Sequence, residues 1–373
     1  MFTMKRLHKA YENAHPVFFD DHSKFIFFSD IHRGDNSLSD EFAHNQNVYY
    51  HALKHYLDEG FTYIEVGDGD ELWEHSKFEV IRYAHSDVFM LLRELYDKNR
   101  FIMLYGNHNM SFKHPHHTKK HLFEFYDEYE YFFNELFPNI KVYESIVMKY
   151  RENQGEIFVV HGHQGDFIND QIWPLMRFLN RHFWRYFHII GFQNPASPAK
   201  NAHKRHKIEI NYSKYIEKHE KMLIVGHTHR PKYPKKGELP YFNTGCCIHP
   251  RNITGLEIVS GKISFIEWRI TPNAEGTLQI IKRVVRGPLP LVDFMFYFSE
   301  KSQDKGDFML PKDPNILLSL INTKLRDHYV SLDALIEDLD LDIDQDKGFI
   351  IETLASIHYH YDPLKNQFKP FQE

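Results

Sequence analysis

Ile64–Glu71, IEVGDGDE, is an apolar run that stops at a glycine and then delivers three carboxylates. A buried strand ending in Gly-Asp sets a carboxylate at the carboxyl edge of a sheet, where α/β folds hold their ligands. Gly-Asp is also a common turn pair, so the stretch gains weight only in company. Four other apolar runs end in the same manner. Lys24–Asp30 (KFIFFSD) continues into Ile31-His32-Arg33-Gly34-Asp35, and Phe101–Tyr105 (FIMLY) into Gly106-Asn107-His108-Asn109. Glu156–Val160 ends in His161-Gly162-His163, and Met222–Val225 in Gly226-His227-Thr228-His229-Arg230-Pro231.

Between these runs the period changes to that of a helix. Tyr49, Ala52, Leu53, Tyr56 and Leu57 share one helical face, which Gly60 stops. A second helix is predicted over Phe78–Lys98, burying Ile81, Ala84, Val88, Leu91, Leu92 and Leu95. The alternation predicts an α/β fold with parallel strands and crossover helices, on periodicity alone a doubly wound sheet. The His- and Lys-rich stretch His114–His121 reads as a solvated loop, with contact to a substrate phosphate as its alternative. A helix rich in Phe and Tyr is predicted next, up to Phe137, and then a strand over Ile140–Tyr150. Phe167–Glu220 is helical in pattern and interrupts the strands. Ile253–Ile258 and Ile263–Trp268 form a hairpin around Ser260-Gly261, and Thr277–Val285 is one more strand.

The texture changes after Gly287-Pro288. Residues 1–287 therefore read as one catalytic domain carrying a helical insert at about 167–220. Residues 288–373 read as a small helical appendage with a faint winged-helix pattern. Its acidic run from Ser331 counts against a DNA-reading surface, which needs cations. The whole chain has a formal charge of −6, which gives no basic field for nucleic acid. Its two cysteines, Cys246 and Cys247, are adjacent and make no disulfide framework. The N-terminus lacks the apolar core of a signal peptide, and no apolar run approaches the roughly 20 residues that span a bilayer. The expectation is a cytoplasmic protein, with a peripheral membrane contact through the insert left open.

The five strand ends mix carboxylate, carboxamide and imidazole, without a thiolate. Such nitrogen and oxygen ligands suit Mn, Fe or Zn. Asp30, His32, Asp68, Asn107, one imidazole of the His161–His163 pair, His227 and His229 make seven donors. One shared carboxylate turns seven donors into two four-ligand half-sites. A two-metal site clamps both oxygens of an in-line displacement and lowers the pKa of bound water.

The series SDIH, VGDGDE, YGNHN, VHGH and VGHTHRP, over roughly residues 24–250, resembles the calcineurin-like metallophosphoesterase superfamily. The resemblance implies a β-sandwich flanked by helices, in place of a doubly wound sheet, with two divalent metals at the strand ends. Asp30, His32 and His229 would hold one metal, Asn107, His161 and His227 the other, and Asp68 would bridge them. His108 would face the scissile phosphate and assist the leaving group, with Glu71 behind it fixing its tautomer. Asn109 stands where an acidic residue usually follows, and His163 where many relatives have Asp. Ligand, substrate contact or neighbour all stay open for His163. Arg33 is a candidate phosphate clamp, and Asp70 reads as solvated loop.

The implied activity is hydrolysis of a phosphodiester, phosphomonoester or pyrophosphate bond by attack of metal-bound hydroxide, with manganese expected first and iron or zinc open. HGHQGDF, a helical insert with aromatic and basic residues, and then GHTHRP resemble the layout of the UDP-2,3-diacylglucosamine pyrophosphatase group. That group's insert caps the site and holds acyl chains, which implies a nucleoside-diphosphate lipid or sugar as substrate. Trp173–Ile190, with Arg177, Arg181 and Arg185, would then offer an apolar groove with a phosphate-binding rim. The alternative is that its aromatics form the cap's own core. The competing activities are a cyclic nucleotide phosphodiesterase and a Ser/Thr protein phosphatase, the latter disfavoured because Leu72 rather than Arg follows Glu71. A non-catalytic metal-binding scaffold is the alternative of a different class.

Overall fold

The structure, a computed structural model, describes residues 2–127, 131–151, 155–166, 169–170, 173–179, 202–295, 310–311, 313–327, 329, 331–338 and 345–371. The chain forms two compact units, Met1–Phe298 and Ser299–Glu373. The first begins with helix α1 (Phe2–Glu12) and strand β1 (His15–Phe19). It then alternates through β2 (Lys24–Phe28), α2 (Gln46–Asp58), β3 (Thr62–Val66), α3 (Phe78–Ala84), α4 (Ser86–Asp97), β4 (Phe101–Leu104) and α5 (Pro115–Leu122). Next come β5 (Glu124–Asp127), β6 (Phe132–Glu135), β7 (Val142–Tyr143), β8 (Ser145–Tyr150) and β9 (Glu156–Val160). Helices α6 (Trp173–Leu179) and α7 (Ala202–His219) lead to β10 (Met222–Val225) and β11 (Tyr241–Asn243). The unit closes with β12 (Asn252–Val259), β13 (Lys262–Pro272), β14 (Leu278–Pro290) and α8 (Val292–Met295).

The class is α/β. Seven strands form one sheet in the order β14-β13-β12-β2-β3-β4-β7, and five form a second in the order β1-β8-β9-β10-β11. β2, β3, β4 and β7 run parallel, and the meander β12–β14 adds antiparallel strands to their edge. Phe25, Phe27, Ile64, Val66 and Leu256 of the larger sheet meet Ile146, Met148, Ile157, Val159 and Ile224 of the smaller one in a shared core. On its outer face the larger sheet buries Ile26, Phe28, Tyr63 and Met103 under α2 and α4. The smaller sheet buries Val147, Phe158, Val160 and Leu223 under α1 and α7. The layers therefore run helix, sheet, sheet, helix. Periodicity alone pointed to one doubly wound sheet, and the reason it does so is physical. Strands buried on both faces read as unbroken apolar runs whether a helix or a second sheet covers them.

Three other expectations are corrected. The helix foreseen over Phe78–Lys98 breaks at His85, whose buried ring bonds Asp40 at 2.9 Å and Gln46 at 2.8 Å. The aromatic helix foreseen before Phe137 includes the hairpin β5–β6, in which Tyr126 pairs with Phe133 across the strands. Ile140–Tyr150 is two strands, β7 in the larger sheet and β8 in the smaller. β14 runs through Gly287 to Pro290, and Leu291 and Phe294 beyond it enter the core between the sheets.

The second unit holds α9 (Pro314–Asp327), α10 (Leu332–Asp338) and α11 (Gln345–Ala355), then an antiparallel hairpin of β15 (Tyr359–Asp362) and β16 (Gln367–Pro370). Leu317, Ile321, Leu325, Leu335, Ile350, Leu354 and Phe368 form its own core. Among the described residues no helix is long and apolar enough to cross a membrane. A chain ended at Phe298 is expected to keep its thermal stability. One ended at Gly287 loses Leu291 and Phe294 from the core, at about 2–5 kcal/mol for each large apolar side chain. Thermal denaturation of the two truncations checks this.

Candidate metal centre

The candidate ligands lie on five loops that leave the carboxyl ends of β2, β3, β4, β9 and β10, so both sheets contribute. The loops after β2 and β3 stay paired beyond the strands. Asp30 N–H donates to Gly67 O at 3.1 Å, His32 N–H to Asp68 O at 2.9 Å, and Glu71 N–H to Arg33 O at 3.0 Å. Two bonds then tie the sheets together at this edge. His161 Nδ1 lies 2.9 Å from Val66 O, and His227 N–H donates to Asp30 Oδ2 at 2.9 Å.

The turns are tight enough to force unusual backbone. Asp30, His32 and Asp68 all have φ of 51°, His227 65° and His229 55°, in the left-handed region that non-glycine residues avoid. Each such residue costs about 1–3 kcal/mol, and such strain gathers at functional sites. Two glycines leave room for the side chains. A Cβ on Gly67 would stand 2.6 Å from the His161 ring, and one on Gly106 would stand 2.2 Å from Asp68 Oδ1.

Among the described residues three groups of three donors have their ligand atoms within 4.8 Å of one another: Asp30, His32 and His229; Asp68, His161 and His227; and His32, Glu71 and His108, of which the first two match the expected half-sites. In the first, His229 Nε2 lies 3.1 Å from Asp30 Oδ1 and 3.3 Å from His32 Nε2. In the second, His161 Nε2 lies 3.1 Å from Asp68 Oδ2, which also lies 3.9 Å from His32 Nε2 of the first group. Asp68 thus stands between the two.

Four of the buried donor atoms, Asp30 Oδ1, Asn107 Oδ1, His161 Nε2 and His227 Nε2, have no hydrogen-bond partner. His161 Nε2 and Asp68 Oδ2 are close but not aligned as a hydrogen bond, which is how atoms aimed at a common cation stand. With His161 Nδ1 engaged by a backbone carbonyl, Nε2 is the nitrogen left to ligate. The donor set fits divalent metal ions.

The charges agree. Burial alone would raise the Asp30 carboxyl, but the imidazoles of His229 and His161 outweigh it and hold the group at about 2. Asp68 is likewise held well below the usual range, against its burial, by His161 and His108. Burial would lower His32, yet Glu71, Asp68 and Asp30 raise it to about 10. This concentration of buried negative charge is what a cation would neutralise.

Glu71 has two imidazoles in hand. Its carboxylate lies 2.8 Å from His108 Nδ1 and 2.8 Å from His32 Nδ1, and it accepts the backbone N–H of Trp73 at 3.2 Å. Motif reasoning paired it with His108 alone. The peptide N–H of His108 donates to Asp68 Oδ1 at 2.8 Å, which fixes that loop against the second group.

Two sequence readings fall here. Arg33 is no phosphate clamp, because its guanidinium is buried and bonds Glu65 at 2.8 and 2.9 Å and Asp70 at 2.8 Å. Asp70 is therefore not a solvated loop residue but half of a buried ion pair. His163 is also buried, with neither ring nitrogen hydrogen-bonded, and its ring centroid lies 5.6 Å from that of His161. Burial, then the neighbouring His161 and His227, keep its imidazole neutral, and it stands in none of the three donor groups.

Asp166 was missed altogether. Its Oδ2 lies 3.5 Å from His227 Nε2 and accepts Asn169 Nδ2 at 2.7 Å, and the available signal was a carboxylate five residues after His161. Within the foreseen cap groove, Arg181 and Arg185 lie outside the described residues. The Arg177 guanidinium lies 4.7 Å from the Trp173 ring centroid, and Lys113 approaches the same ring at 5.2 Å.

Residues 311–368, within the second unit, match a family described as a domain of unknown function (DUF4250). No curated protein matches the chain. Among solved structures, the cold-active protein-tyrosine phosphatase of a psychrophile Shewanella sp. is similar at a TM-score of 0.33 and 12% identity, over 72% of this chain and 83% of that chain. A mutant cold-active protein tyrosine phosphatase gives 0.33 and 11%, over the same shares. Likeness at that level says nothing about activity.

Removing one member of a buried ion pair leaves the other charge stranded. Arg33→Ala is expected to cost about 3–5 kcal/mol of stability. Urea denaturation measures it, and an unchanged midpoint would contradict the structural role.

Proposed function

We propose that the chain is a dinuclear metal-dependent phosphoesterase of the calcineurin-like metallophosphoesterase superfamily. The observation that carries this is the convergence of buried donor atoms without hydrogen-bond partners, from both sheets, on one carboxylate. Asp30, His32 and His229 would hold one divalent ion, Asn107, His161 and His227 the other, with Asp68 common to both. When bound, such a pair supplies Lewis-acid charge to a phosphoryl group and lowers the pKa of water. Manganese is the first candidate, with iron and zinc compatible with the same donors.

The chain's own contribution follows from the geometry. The left-handed turns and the cross-sheet bonds fix the donors before substrate arrives, so little reorganisation accompanies the reaction. Glu71 occupies Nδ1 of His108, which leaves Nε2 to give a proton to the departing oxygen. Burial of Asp68 and Asp30 keeps water from screening these charges. As substrate we propose a phosphorylated small molecule, with a nucleoside-diphosphate lipid or sugar first. The order of HGHQGDF, helical insert and GHTHRP supports that choice.

Manganese-dependent hydrolysis of bis(p-nitrophenyl) phosphate tests the activity, and absence of turnover in protein carrying two equivalents of metal would sink it. Asp68→Asn is expected to lose metal together with rate. His108→Ala is expected to keep both metals and lose about 10²–10⁴ in kcat on a phosphodiester with an alkoxide leaving group. Elemental analysis beside kinetics separates the two outcomes. A panel of nucleoside-diphosphate lipids, cyclic nucleotides and phosphopeptides then distinguishes the substrate classes.

A further inference from the structure

Two residues beyond Glu71, the buried indole of Trp73 lies flat against the imidazole of His108. The ring centroids are 4.1 Å apart and the planes 18° from parallel. His32 meets the same imidazole edge-on, at 4.6 Å and 89°. The hydrogen bond from Nδ1 to Glu71 fixes where that one atom points, but it lets the ring pivot about the bond. A flat contact on the ring face removes the pivot. Both constraints come from one turn, since the Trp73 backbone N–H itself donates to Glu71 Oε1 at 3.2 Å.

We propose that Trp73 is a positioning residue, the floor that sets the plane in which His108 Nε2 meets the leaving oxygen. The proposal rests on the phosphoesterase reading and on His108 as proton donor. A purely structural tryptophan would slow all substrates alike or only lower stability. A residue acting through His108 affects leaving groups unequally, because p-nitrophenolate departs without a proton and an alkoxide does not.

The test compares a p-nitrophenyl and an alkyl phosphodiester with manganese-loaded wild type, Trp73→Leu and Trp73→Phe. Trp73→Leu is expected to lower kcat for the alkyl ester by about tenfold or more, with KM and metal stoichiometry unchanged and little effect on the p-nitrophenyl ester. Trp73→Phe, which keeps a ring face, restores most of that loss. Adding Trp73→Leu to His108→Ala costs nothing further. Equal losses on both esters, no rescue by phenylalanine, or additive losses in the double variant each overturn the proposal. Should the leucine variant not fold, Trp73→Met takes its place. If wild type cleaves neither ester, the phosphoesterase reading has failed, and a crystal structure of the Trp73 variant decides the clamp alone. His108 unmoved against Glu71 refutes it, and His108 turned away or in several orientations upholds it.

Discussion

One guanidinium holds the site's two central loops together. Arg33 follows His32 in the loop after β2, and its side chain reaches Glu65 on β3 through two parallel bonds and Asp70 in the next turn through a third. All three charged groups are buried. Burying them carries a desolvation cost, and the planar fork of arginine recovers it only through geometry that lysine cannot reproduce. Because Asp68 and Glu71 flank Asp70, locking Asp70 locks a donor on one side and the support of two histidines on the other. The Tyr63 hydroxyl donates to Glu65 at 3.0 Å and lies 2.7 Å from the Tyr49 hydroxyl, so the lock continues into α2.

With those loops fixed, the sandwich sets the remaining distances. Donors from the larger sheet face His161, His227 and His229 from the smaller, and the two sets meet only because Phe27, Val66, Val159 and Ile224 hold the sheets face to face. Five residues in left-handed backbone sit at this seam, and bonds such as His227 N–H to Asp30 keep them there. Strain, buried charge and atoms without partners thus coincide in one place. By contrast, the buried pair His85 and Asp40 is satisfied, the two bonding at 2.9 Å.

The clustering of donor residues was legible because donors at strand ends leave a local signature, an apolar run followed by glycine and a donor. Asp68, Asn107 and His227 stand in such places. Arg33 was not legible, since an arginine in a ligand loop looks the same whether it faces solvent or a buried glutamate. The one hint was Glu65, a carboxylate inside an otherwise apolar strand, which a buried cation had to answer. Trp73 read as an ordinary apolar residue, because ring stacking depends on where His108 lands, 35 residues later by the numbering. The hairpin of β5 and β6 reads as helix in sequence because clustered aromatics satisfy both periods over so short a span.

The sequence by itself determined the chemistry: imidazole, carboxylate and carboxamide donors, no thiolate among them, each delivered at the end of a buried strand. It also determined most element types, since helix and strand periods are local properties of a few residues. Only the tertiary structure decided which donors share a centre, which sheet each strand joins, and that Glu71 serves two histidines while Arg33 serves none of the chemistry. Those outcomes depend on contacts between distant parts of the chain, such as the bond spanning 197 residues from His227 to Asp30. Local propensity carries no information about which partner burial will supply.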